Sequence, residues 1–124
     1  MKSISCADAP MPAGPYSQAV VSGNKVFVSG QIPIDPNSGT MASGTEDQIR
    51  TAFGNLLGIL RSAGADGILS TTVYLTDMDD FPAMNSIYSE MIGAPFPART
   101  CIGVSSLPKG ARIMVDAIGE IADH

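Results

Sequence analysis

Three stretches of this chain, Val26-Phe27-Val28, Val73-Tyr74-Leu75 and Ile113-Met114-Val115, carry no charged side chain and almost no polar one. A strand with one face in water alternates apolar and polar residues, because successive side chains point to opposite faces. Strands without that alternation need cover on both faces, and only two segments can supply it. Over residues 46–63, Ile49, Phe53, Leu56, Leu57 and Leu60 form a stripe at helical spacing. Over residues 81–91, Phe81, Met84, Tyr88 and Met91 form another. Two helices cover one face of a sheet. No segment remains for the other, so a second copy of the chain is the expected cover. Composition agrees: charged residues are 15% of the chain, below the roughly 25% usual in soluble domains.

The 124 residues fit one domain spanning the whole chain. Strands are expected over residues 17–21, 25–29, 69–76, 98–104 and 112–118, which gives an α+β order of β-β-α-β-α-β-β. Ser22-Gly23-Asn24-Lys25 reads as a hairpin turn, and Asp35-Pro36-Asn37-Ser38-Gly39 as a turn-rich loop. Thr45 and Gln48 have the spacing of a capping box, and Gly64 is placed to end the first helix. Asp79 or Asp80 is expected to cap the second helix, Pro82 suits its first turn, and Gly93 can stop it.

The segment Phe96-Pro97-Ala98-Arg99-Thr100-Cys101-Ile102-Gly103-Val104 places one arginine in a strand with almost no other charge. Period two puts Arg99, Cys101 and Gly103 on one face. A guanidinium among apolar groups needs an anion, and its planar fork fits a carboxylate. Arg99 therefore pairs with a structural acid or holds the carboxylate of a small ligand.

Other chemistries are poorly supplied. The only histidine is His124, at the last position, so neither a serine triad nor a histidine-paired cysteine is expected. One histidine and two distant cysteines, Cys6 and Cys101, make a metal site an unfavoured reading. Asp77, Asp79 and Asp80 match no calcium loop and read as a helix entrance. A formal net charge of −5, with basic residues scattered, gives no footprint for nucleic acid. No apolar stretch approaches the ~18 residues of a membrane span. No apolar signal core opens the chain, and the unpaired cysteines suggest a reducing setting, expected to be the cytoplasm, with an organelle matrix as the alternative.

Gly14-Pro15-Tyr16-Ser17-Gln18-Ala19, Val28-Ser29-Gly30-Gln31-Ile32-Pro33, Phe96-Pro97-Ala98-Arg99-Thr100-Cys101 and Leu107-Pro108-Lys109-Gly110-Ala111-Arg112-Ile113 occur in an order and spacing similar to those of the Rid family. These are the reactive intermediate deaminases, also called YjgF-like and often labelled endoribonuclease L-PSP. The resemblance implies a chorismate-mutase-like subunit with two helices on one face of its sheet, three copies packing their sheets into a central barrel, and sites between subunits. It also implies cofactor-free hydrolysis of reactive 2-imino or enamino acids to 2-keto acids and ammonia.

Carried over residue by residue, the resemblance makes Arg99 the carboxylate anchor. Tyr16 packs against the ligand or donates its hydroxyl, and Ser29, Gly30, Asn85 and Cys101 line the pocket. Each has a plainer reading: Tyr16 as local packing, Ser29-Gly30 as a strand end, Cys101 as apolar filler, Asn85 as solvent-facing. One departure stands out. Met114 occupies the place of a glutamate that activates water in the family's deaminases, and a thioether takes no proton. Asp116 lies two residues along the same face and Glu120 is expected beyond the strand. A non-catalytic binder of small carboxylates, such as a 2-keto acid or an amino acid, is therefore the alternative to a weakened deaminase. The ribonuclease label finds no support in the charge.

Overall fold

The computed structural model describes residues 1–122; His124 lies outside them. The elements are β1 (Lys2–Ile4), β2 (Ala19–Ser22), β3 (Lys25–Gln31), α1 (Thr45–Ser62), β4 (Gly67–Leu75), α2 (Phe81–Ile92), β5 (Ala98–Gly103) and β6 (Ile113–Glu120). They form one mixed six-stranded sheet in the order β1-β2-β3-β6-β4-β5. All pairings are antiparallel except β4 with β5, which run parallel around the crossover helix α2. The fold is α+β, with the expected elements plus one. Strand β1 had no sequence signal, because three residues are too few to show a period. It pairs with β2 from Lys2↔Val21 to Ile4↔Ala19.

Both helices pack on one face. Ile49, Phe53, Leu56 and Ile59 of α1 and Met84 of α2 are buried against Val26, Val73, Leu75, Ile113 and Val115 of the strands. The other face is traced by the registers Phe27↔Ile118, Thr72↔Asp116, Tyr74↔Met114 and Tyr74↔Ile102. Phe27 and Ile102 there are each 43% exposed, which is the bare apolar face the unalternating strands imply.

Three local expectations give way to other contacts. Thr45 and Gln48 form no capping box. Thr45 is already the first helical residue, and Gly44 (φ 87°) holds the N-cap without a side-chain bond. Gln48 instead ties three segments together: its Nε2 donates to the Ala42 carbonyl (3.0 Å) and its Oε1 accepts from the Arg112 N–H (2.9 Å). Neither Asp79 nor Asp80 caps α2 with its side chain. Asp80 occupies the N-cap position with helical backbone angles, and its carboxylate accepts from Nε and a terminal N–H of Arg112, both at 3.0 Å. It is Asp77 that caps, accepting from the Asp79 N–H (2.9 Å) in the short turn before α2. Glu120 closes β6 rather than lying beyond it, and pairs with Lys25 at 2.6 Å.

Candidate active site

Arg99 stands on edge strand β5, in register with Thr71 of β4. Thr71 is buried on the helix-covered face, so Arg99 projects to that side. There the guanidinium carbon sits 4.9 Å from the ring centre of Tyr88 and 5.6 Å from that of Phe81. One terminal N–H donates to Asn85 Oδ1 at 2.8 Å. Phe81, Asn85 and Tyr88 follow one another at four and three residues, so they share one face of α2. The Tyr88 hydroxyl is 2.8 Å from the Thr71 hydroxyl, and its ring meets Phe53 edge-on at 5.6 Å between centres. The platform under the cation is thus fixed from below.

Among the described residues, no carboxylate lies within 4.0 Å of the Arg99 guanidinium. The acids that could have neutralised it are engaged elsewhere: Glu46 and Glu90 with Arg50, and Asp77 and Asp80 with Arg112. With Asn85, Tyr88 and Phe96, Arg99 lines a cavity of about 390 Å³. Cation–π contact and one neutral hydrogen bond hold the group without cancelling its charge. Arg99 is exposed in the single chain rather than enclosed by apolar groups as expected, so water also meets its charge.

Tyr16 and Gly30 line a different and larger cavity, about 500 Å³, together with Gln31, Asp35, Pro108 and Lys109. Tyr16 is half exposed, and its hydroxyl oxygen accepts from the Ala13 N–H at 3.4 Å. Ser29 donates its hydroxyl proton to the Ser17 carbonyl at 2.6 Å, which leaves both lone pairs of its oxygen able to accept. Gly30 falls where the β3–β6 register shifts. A Cβ on it would meet Met114 Sδ at 2.7 Å. Gly30 and Met114 are therefore matched in size: the missing side chain makes room for the thioether.

The candidate residues thus divide into two groups. Arg99, Asn85 and Cys101 belong to the helix-covered side of β5. Met114 belongs to the bare face of β6, in register with Tyr74, with Gly30 against it and Tyr16 on the same cavity as Gly30. Within one chain the sheet itself separates the cation from Met114.

Asp116, two residues along from Met114, already has a partner. Its Oδ2 accepts from the Tyr74 hydroxyl at 2.9 Å. That bond, followed by burial, pushes the Tyr74 phenol above its ordinary value. Burial likewise pushes the Cys101 thiol up, partly opposed by Arg99. Cys101 is accordingly a thiol rather than a nucleophilic thiolate. Two contacts were not foreseen from sequence: Tyr88 beneath the cation, and the hydrogen bond to the cation from Asn85, which also lines the cavity as expected of it. Phe81 and Tyr88 belong to the apolar stripe of this helix and Asn85 does not, so periodicity alone does not show that the three face one cation.

Comparison with known proteins places these features in context. Residues 6–121 match the family model described as Endoribonuclease L-PSP. A RutC family protein of Pyrococcus horikoshii is 46% identical over 114 residues, covering 90% of each chain. The 2-iminobutanoate/2-iminopropanoate deaminase of Homo sapiens is 43% identical over 118 residues, covering 93% of this chain and 86% of that one. Among solved structures, RidA of an Antarctic Psychrobacter superposes with a TM-score of 0.94 at 34% identity, covering 98% of this chain and all of that one. E. coli TdcF with bound serine superposes with a TM-score of 0.91 at 34% identity, covering 98% of this chain and all of that one.

Proposed function

Because the chain belongs to the Endoribonuclease L-PSP family, whose relatives include proteins named 2-iminobutanoate/2-iminopropanoate deaminase, we propose that it hydrolyses 2-imino acids to 2-keto acids and ammonia. The observation that carries this reading is the Arg99 guanidinium, held by Asn85 and Tyr88 with no acid partner among the described residues. A ligand carboxylate is the natural partner for the free edge of its fork. The serine bound to the TdcF relative supports a small carboxylate as ligand class.

The reaction asks little of the protein. Water adds to the protonated imine carbon and gives a carbinolamine. Loss of the water's proton and transfer of a proton to nitrogen let ammonia leave and the keto group form. Arg99 fixes the carboxylate end, so the imine carbon is presented in one orientation. The Tyr16–Gly30 cavity would receive the other end. Since one sheet separates it from Arg99, the reading requires a second subunit to bring the two together, and we read the assembly as a trimer with three such clefts. The reaction as proposed uses no cofactor, and the chain's charge offers nothing to a nucleic acid.

Met114 supports a second reading, binding of a small carboxylate without turnover. Lack of a positioned base removes about 10²- to 10⁴-fold in rate, which a labile imine can partly tolerate. The test supplies freshly generated 2-iminobutanoate and follows keto-acid release. Acceleration by the wild type, lost in Arg99→Ala and increased in Met114→Glu, supports the deaminase. Calorimetric binding of 2-oxobutanoate with no acceleration supports the binder. Cleavage or binding of neither ends both readings.

A further inference from the structure

The cavity that holds Tyr16 and Gly30 has about 500 Å³, several times the volume of a three- or four-carbon imino acid. Its lining contains a single cationic side chain among the described residues, Lys109. Lys109 has φ 57°, in the left-handed region that L side chains with a Cβ rarely occupy. It is also the one non-glycine with positive φ among the described residues.

The turn that imposes this conformation is tied on both sides. The Gly110 N–H donates to the Leu107 carbonyl and the Ala111 N–H to the Pro108 carbonyl, each at 3.2 Å. Pro108 fixes the backbone before the lysine, and Gly110 (φ 72°) accepts the left-handed angle after it. A strained lysine on a cavity wall is a departure that a purely structural turn does not need, since glycine or asparagine would fit better.

No carboxylate lies within 4.0 Å of the Lys109 ammonium among the described residues. Asp35, the one acid on the same cavity, is occupied by its own loop. Its Oδ1 accepts from the N–H groups of Asn37 (2.8 Å) and Ser38 (3.0 Å), which hold its carboxyl below the usual carboxylate range. The ammonium is thus available to a ligand. Its charge also matters for approach, because a chain of net charge −5 repels a dianion unless a local cation offsets the field.

We propose that Lys109 is a specificity-determining residue that binds a second carboxylate, on the side chain of the ligand, so that the site prefers dicarboxylic 2-imino acids and their 2-keto products. The inference rests on the reading of Arg99 as anchor for the first carboxylate. Lys109 would take the distal one from across the cleft.

Calorimetry with the two product-like keto acids, 2-oxobutanoate and 2-oxoglutarate, tests this without requiring turnover. The assembled wild-type protein should bind 2-oxoglutarate about tenfold more tightly, the size of one partly exposed charge-assisted hydrogen bond. Lys109→Asn suits the left-handed backbone and removes only the ammonium. It should erase the preference while leaving 2-oxobutanoate affinity within about twofold, whereas Lys109→Arg should keep part of the preference. Equal affinities in the wild type, or equal losses for both ligands in Lys109→Asn with an unchanged melting temperature, would overturn the role of Lys109 and leave the Arg99 anchor standing. Binding of neither keto acid would overturn both.

Discussion

Gly30→Ala is the most direct probe of the Gly30–Met114 match. The added Cβ would stand 2.7 Å from Met114 Sδ, 3.1 Å from its Cγ and 3.2 Å from its Cε. No real Cβ tolerates the first of these, so the thioether must swing to another rotamer or the strands must part. Overpacking of this kind costs roughly 1–3 kcal/mol. Against it stands the unfolded-state gain of replacing glycine by alanine where the backbone allows, about 0.4–1 kcal/mol. Gly30 is not held at positive φ, so that gain applies. The net expectation is a loss of about 1 kcal/mol, or roughly 4 °C in melting temperature for a chain of this size. Met114 is only half buried, so Met114→Ala alone should cost less than the ~2–5 kcal/mol of a fully buried methionine. In that background the clash is gone, and Gly30→Ala should become neutral or slightly stabilising. The assay is a double-mutant cycle of melting temperatures at one fixed protein concentration, because assembly couples to stability. The expected coupling is about 1–1.5 kcal/mol. Strict additivity, or a Gly30→Ala variant as stable as the parent in both backgrounds, would refute the claim that the missing side chain makes room for the thioether.

Tyr88→Leu should leave Arg99 in place but remove its platform; keto-acid affinity by calorimetry should fall about three- to tenfold, in line with the ~0.5–2 kcal/mol of a cation–π contact, and unchanged affinity would count against a positioning role. Asp80→Ala breaks the two-pronged bond to Arg112 that ties β6 to the start of α2, and should lower stability by about 1–2 kcal/mol, since Arg112 is partly exposed, as read by thermal melting. The raised Tyr74 phenol predicts a pH effect with a definite sign. Its folded-state value lies above the unfolded one, so its contribution to stability is complete below the ordinary tyrosine range and is lost as pH rises through the folded value. Tyr74→Phe should flatten that alkaline fall in melting temperature. Cys101 should react slowly with iodoacetamide near neutral pH, its rate climbing only above the ordinary thiol range, and fast alkylation at neutral pH would contradict the burial-raised thiol.

The helices and the strands β2 to β6 were legible because each carries a hydrophobic period longer than its own uncertainty. Element ends shifted by one or two residues, as they do where hydrogen bonding rather than composition sets the limit. Strand β1 was invisible because it exists only through pairing with β2. Gln48 and Asp80 were read as local caps because capping residues look alike in sequence. Their real partners, Arg112 in both cases, lie 64 and 32 residues away, and nothing local encodes that separation.

The same division runs through the candidate site. The order of residues alone determined that this chain forms an α+β sheet with one uncovered face and that an arginine stands alone in a nearly uncharged strand; an acid in the place of Met114 is implied only by the resemblance to the Rid family. The first two follow from periodicity and residue type, which are local properties. Only the tertiary structure decided that Asn85 and Tyr88 hold the arginine, that its strand lies at the sheet edge, that no acid among the described residues reaches it, and that Met114 lies across the sheet from it. Those depend on which face each strand turns to the helices and on which of several competing acids each cation meets, and both are set by packing between segments far apart in the chain.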